Sequence, residues 1–159
     1  MRTPPEAPTQ ATPTDEAVIQ ALYHTLLAAW NERNAVAFAD LFSAAGHVIG
    51  FDGSMLNGRT AIEAHLLGIF RDHPTPAYVG KVREVRFLTP AVAVLRAVAG
   101  LIPPGQTDLN PTLNAVQTLV ASGQDGQWHS ELYQNTPAAL HGQPEQSAAL
   151  TAELRQLLP

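Results

Sequence analysis

Ile19, Leu22, Tyr23, Leu26 and Trp30 recur at three- and four-residue intervals, so the chain opens on an amphipathic helix of about five turns. Thr14 is placed to cap it, with Asp15 and Glu16 in the first turn where the helix dipole favours negative charge. Asn31 and Asn34 flank its end. Val36, Phe38, Leu41 and Phe42 then predict a short second helix reaching about Phe42. "GHVIGFDG" reads as a strand running into a turn, and Asn57-Gly58 as a second turn. A third helix follows from about Thr60 to Asp72, stopped by Pro74 and Pro76.

Beyond that point the pattern alternates. "YVGKVREVRFL" and "AVAVLRAVAGLI" flank Thr89-Pro90, while "LNAVQTLVAS" and "QWHSELYQNT" flank residues 123–126, which predicts two antiparallel hairpins. Val82 and Val85 lie three apart, so a β-bulge near Arg83-Glu84 is needed to bring Val82, Val85 and Phe87 to one face. Ala91, Ala93, Ala97 and Ala99 share a face, either to let a helix approach closely or to leave room for a ligand. The proline-rich loop "PPGQTDLNPT" between the hairpins is a candidate lid or rim. A last helix, about Glu145 to Leu157, carries Leu150, Leu154 and Leu157 on one side. The expected organisation is a disordered leader over 1–13, one domain over 14–140 and a helical extension over 141–159. Its class is α+β: three N-terminal helices packed on the concave face of a curved, mostly antiparallel sheet.

Composition narrows function mainly by exclusion. With 9 basic and 14 acidic residues the net charge is −5, which disfavours nucleic acid as a partner. Arg71, Lys81, Arg83, Arg86 and Arg96 gather mid-chain, as a solvated strand face would. No cysteine is present, which removes disulfides, thiolate metal sites and cysteine nucleophiles. No apolar run approaches the ~18 residues of a membrane span. The first residues lack the apolar core of a secretory signal, so a cytoplasmic location is the default expectation. His24, His47, His65, His73, His129 and His141 show no metal-binding spacing, and neither a phosphate loop nor a nucleophile elbow occurs. No metal and no cofactor are expected.

Several residues carry candidate chemistry. His65 lies three after Ile62 on the third helix and reads either as a core histidine bonded to a strand carbonyl or as a proton-moving group in a pocket. Asp52, in "FDGS", reads either as an Asx-turn with Gly53 at positive φ or as a carboxylate that orients His65. Arg59 sits at a helix start, where the dipole disfavours a cation, and so asks for a partner: a carboxylate at an interface or an anionic ligand group. Gln117 interrupts an apolar strand, and Gln134 and Asn135 are poor strand formers at the end of another. If Gln117 and Gln134 both face inward, they offer neutral hydrogen bonds to a ligand carbonyl; otherwise they are solvent-facing or pair across the sheet. Tyr23 and Trp30, seven apart, read as core or as a flat wall for an aromatic ligand.

The order of elements resembles the cone-shaped α+β barrel of the nuclear transport factor 2-like (NTF2-like) superfamily. "ALYHTLLAAWNERNAVAFADLF", "HVIGFDGSMLNGRTAIEAHL", "VREVRFLTPAVAVLRAVAG" and "LNPTLNAVQTLVASGQDGQWHSELYQNTP" resemble the SgcJ/EcaC family of the SnoaL-like group, over about residues 15–140. The resemblance implies a homodimer packed sheet to sheet, with a pocket between helices and sheet for a small, partly apolar molecule. It also implies cofactor-free isomerase, cyclase or dehydratase chemistry, a non-catalytic binding module, or an association domain with a solid core. In the enzyme reading His65 moves protons and Asp52 assists it, while Tyr23, Trp30, Arg59, Gln117, Gln134 and Asn135 contact the ligand.

Overall fold

The computed structural model describes residues 13–124 and 126–159; the expected leader lies almost wholly outside them. Over these residues the chain forms helices α1 (Pro13–Asn31), α2 (Ala35–Asp40) and α3 (Arg59–Asp72), with strands β1 (Phe42–Ile49) and β2 (Met55–Asn57) between the last two. Strands β3 (Ala77–Thr89), β4 (Val92–Ile102), β5 (Ala115–Gln124) and β6 (Gln127–Pro137) follow, then helix α4 (Pro144–Arg155). The strands form one sheet in the order β2-β1-β6-β5-β4-β3, antiparallel throughout except where β1 runs parallel to β6.

This is the α+β layout expected, with local corrections. Thr14 already lies within α1. Asn34 caps α2 instead, its side chain accepting from the Ala37 amide at 3.0 Å. That helix stops at Asp40 because Phe42 belongs to β1, where it is fully buried, while Val36 is exposed. The short strand β2 was not foreseen; it returns along β1 from the turn at residues 50–54, where Gly53 has φ 89°. Ala91 falls outside β4, and Leu157 lies past the end of α4, exposed, with Thr151 buried in its stead.

The bulge predicted in β3 is present. Register runs Val82 opposite Ala97, then Glu84 opposite Arg96, leaving Arg83 over and returning Val85 and Phe87 to the core side. A second bulge in β6 had no sequence signal: Glu131 is the extra residue between Ser130 and Leu132, and its carboxylate accepts from Ser43 at 2.7 Å and Ser122 at 2.5 Å. Both hydroxyls hold that carboxyl below its usual range, Ser122 the more strongly.

The main core lies between the sheet and helices α1–α3, with Ile19, Tyr23, Leu26, Ile62, Leu95 and Leu119 fully buried. Side chains of helix α1 reach down onto Gly80 of β3: a Cβ there would meet the Tyr23 hydroxyl oxygen and would sit 2.6 Å from Leu27 Cδ1. Buried Ala93, Ala97 and Ala99 sit on this same face of β4, and none borders the cavity described below. The small-residue face therefore serves close packing.

Helix α4 covers the other face of the sheet. Leu154 is fully buried against Val98 and Leu109, which also ties down the loop between the hairpins. Glu153 binds Arg83 through two oxygens at 2.5 Å and Lys81 at 3.0 Å. These partners, Arg83 first, hold the Glu153 carboxyl down to about 2.

Candidate functional site

Between α1–α3 and the concave sheet lies a cavity of about 450 Å³. Its walls are mainly apolar: Leu26, Trp30, Phe38, Val48, Leu66 and Ile69 are among them. Its polar groups are few: Tyr133 and Asn135, buried, and Tyr78, half-buried, line its inner part, while Asp52, Ser54 and His65 are exposed.

The inner part is built on a hydrogen-bonded series that begins behind the wall. Tyr23 Oη donates to Gln117 Oε1 at 2.6 Å, Gln117 Nε2 donates to Asn135 Oδ1 at 3.0 Å, and Asn135 Nδ2 donates to Tyr78 Oη at 2.7 Å. Gln117 and Asn135 are direct cross-strand partners, so their side chains meet on the concave face. Asn31, the last residue of α1, fixes the start of β3 by accepting from the Tyr78 amide at 2.8 Å and donating to its carbonyl at 3.0 Å. Tyr133 is 4 % exposed, and its hydroxyl lies beside that of Tyr78. Burial raises the ionisation of all three phenols above the usual tyrosine range, so they are neutral hydroxyls at any physiological pH.

The exposed part is made by the β1–β2 turn and α3. Asp52 closes an Asx-turn, accepting from the Ser54 amide and the Ser54 hydroxyl, each at 2.9 Å. These two bonds lower the Asp52 carboxyl below its usual range, with a smaller contribution from the charge of His65. A carboxylate stabilised in this way is a weak base, suited to orienting a neighbour rather than taking a proton itself. His65 is exposed at the cavity edge, so the core-histidine reading is corrected: Ile62 and Leu66 are buried, and His65 lies beside that stripe.

The remaining predicted residues are placed as follows. Trp30 lines the cavity, its indole N–H already donating to the Pro76 carbonyl at 2.8 Å and its ring edge-on to Phe70 and Tyr78. Tyr23 and Gln117 are fully buried and stand behind the wall, not in it. Asn135 is in the wall. Gln134 pairs with Thr118 and points to the opposite face, so Gln117 and Gln134 do not converge. Arg59 has its partner inside the fold, donating through Nε to the Phe42 carbonyl at 2.8 Å, and does not border the cavity. Tyr78 and Tyr133 were missed from sequence, although Tyr133 and Asn135, two apart on one strand, share a face.

No family model matches the chain, and no curated protein sequence matches it. Solved structures do. A domain of unknown function with a cystatin-like fold from Nostoc punctiforme is 28% identical, with a TM-score of 0.74 over 92% of this chain and 99% of that one. A ketosteroid isomerase-like protein from Erwinia carotovora atroseptica is 16% identical, with a TM-score of 0.63 over 80% of this chain and 99% of that one. An NTF2-like protein of unknown function from Shewanella oneidensis is 19% identical, with a TM-score of 0.59 over 79% of this chain and 99% of that one. The helices packed on one curved, mostly antiparallel sheet thus follow the α+β cone fold of these NTF2-like structures.

Proposed function

We propose that the chain is a homodimeric, cytoplasmic protein of the SgcJ/EcaC type that binds a small, partly apolar molecule in the cone and acts on it by cofactor-free acid/base chemistry. The observation that carries the reading is the cavity: about 450 Å³, mainly apolar, with a few polar groups in its wall. In such surroundings a few hydrogen bonds act more strongly than in water. His65 is the proton-moving group at the exposed part of the cavity and Asp52 its orienting neighbour, while Asn135 faces the ligand from the buried wall. Isomerisation, cyclisation and dehydration all suit this set. Likeness in fold to a ketosteroid isomerase-like protein supports the same class. An open cavity in place of a solid core argues against an association domain as the whole function.

The test uses Trp30 as its reporter. In a Trp128→Phe background, bicyclic aromatic compounds are titrated while Trp30 fluorescence is followed, and each that binds is incubated and analysed for conversion. Saturable quenching with conversion that disappears in His65→Ala supports the enzyme reading. Quenching without conversion supports a binding module, and no quenching across the set rejects the pocket.

A further inference from the structure

We infer, resting on the ligand-binding reading above, that the cavity selects its ligand by charge: it takes an apolar amine in its ammonium form, with Asp52 as the counter-ion, and turns away carboxylates and phosphates.

The positive side chains are engaged elsewhere in the fold. Among the described residues no lysine or arginine borders the cavity. Arg33 donates to the Phe70 and His73 carbonyls at the end of α3, and Arg59 to the Phe42 carbonyl. Arg71, Arg96 and Arg155 pair with Asp72, Glu84 and Asp108, while Lys81 and Arg83 share Glu153. Arg86 stands on β3 near Glu84. His65 is the one base in the wall, and what charge it carries already faces the carboxylate of Asp52. An anion entering the cavity would therefore lose water without gaining a fixed opposite charge, and that loss is costly in apolar surroundings.

For a cation the balance is reversed. Asp52 is the one carboxylate of the wall. Its turn bonds come from neutral donors, the Ser54 amide on one oxygen and the Ser54 hydroxyl on the other, each at 2.9 Å. They fix the group and leave its negative charge uncancelled, with a lone pair still open on each oxygen. An ammonium group, all donor and no acceptor, is the complement of such a carboxylate. The aromatic side chains beside it, Trp30, Phe51 and Tyr133 among them, also favour a cation over an anion. The apolar walls accept the rest of the molecule, and a net charge of −5 raises the local concentration of cations.

Three probes on one ring frame test it: 2-naphthylmethylamine, 2-naphthalenemethanol and 2-naphthoate, titrated calorimetrically at neutral pH into the full chain and into Asp52→Asn. The wild type is expected to bind the amine about fivefold more tightly than the alcohol, the worth of one exposed ion pair. The carboxylate is expected to bind at least about tenfold more weakly than the alcohol. Asparagine still accepts from the Ser54 amide, so Asp52→Asn keeps the turn and removes only the charge. In that variant the amine should lose its advantage while alcohol binding holds. Added salt gives a reading that needs no variant: it should weaken the amine and leave the alcohol unchanged. An advantage owed to net charge alone would survive in Asp52→Asn and overturn the assignment. Equal binding of amine and alcohol by the wild type, or tightest binding of the carboxylate, would overturn the inference while leaving the pocket intact. Binding of none of the three would reject the pocket reading beneath it, and the inference with it.

Discussion

The hydroxyl of Tyr23 donates to Oε1 of Gln117 at 2.6 Å, joining the first helix to the middle of the sheet where neither side chain meets solvent. Gln117→Leu removes both bonds this amide makes and leaves the Tyr23 hydroxyl and Asn135 Oδ1 buried and unpaired. The expected loss of unfolding free energy is about 2–4 kcal/mol, read by denaturant titration. Gln117→Leu with Tyr23→Phe removes one of the stranded groups, and the double variant should be more stable than the sum of the singles implies.

Gly80→Ala tests the closeness of helix and sheet. The added methyl meets the Tyr23 oxygen and Leu27 Cδ1 inside contact distance, so these side-chain ends must move and the Tyr23–Gln117 bond is disturbed. A destabilisation of about 1–3 kcal/mol is expected. Tyr23→Phe in the same chain removes the nearest obstacle, and thermal unfolding of the pair should recover part of the loss.

His65→Leu separates site from scaffold. The side chain is exposed and makes no hydrogen bond among the described residues, so unfolding free energy should stay within about 0.5 kcal/mol of wild type. A loss of about 2 kcal/mol or more would instead reveal a structural partner and withdraw His65 from the proposed chemistry.

Acid should loosen the attachment of α4. The Glu153 carboxyl is held at about 2 in the folded chain against an ordinary 4.5, so the folded state favours its charged form. That contribution is complete above about pH 4.5 and is lost as the pH falls toward 2. Because the group is partly exposed and its partners Lys81 and Arg83 lie at the surface, the effect is small and weakened by salt. Stability measured from pH 5 to pH 2 should fall more steeply in wild type than in Glu153→Gln; parallel curves would show that the pairing with Arg83 and Lys81 is idle.

Much of this architecture can be read in the chain, and one failure shows why the rest cannot. The three-residue gap between Val82 and Val85 announces the β3 bulge because both positions are apolar. The β6 bulge is silent: Glu131 is polar, and polar neighbours reveal no break in alternation. Its effect on the site is nevertheless decisive. The hairpin closes with Gln124 opposite Gln127, and counting seven outward on each strand sets Gln117 opposite Gln134. The extra residue moves every later partner by one, so Gln117 meets Asn135 instead. Of the two readings the sequence left open, Gln117 follows the one in which amides pair across the sheet, with Asn135 as its partner, and Tyr133, two residues before Asn135, comes into the cavity with it. Tyr78 was hidden for another reason: it sits at a strand start that Asn31 positions from 47 residues away. Asp52, by contrast, makes the turn its neighbours foretold and also borders the cavity.

The parallel pairing of β1 with β6 has a consequence for how the chain is made. Val48 and Tyr133 are register partners and both border the cavity, yet they are separated by nearly the whole sheet in sequence. While the polypeptide leaves the ribosome, helices α1–α3 and the β3–β4 hairpin are complete long before β6 emerges, and the chamber lacks a wall. Long-range pairings of this kind form late, after the entropy of closing the intervening chain has been overcome. A nascent or prematurely ended chain thus has no receptor site to offer, and a ligand added during refolding should act on the last step of assembly rather than the first.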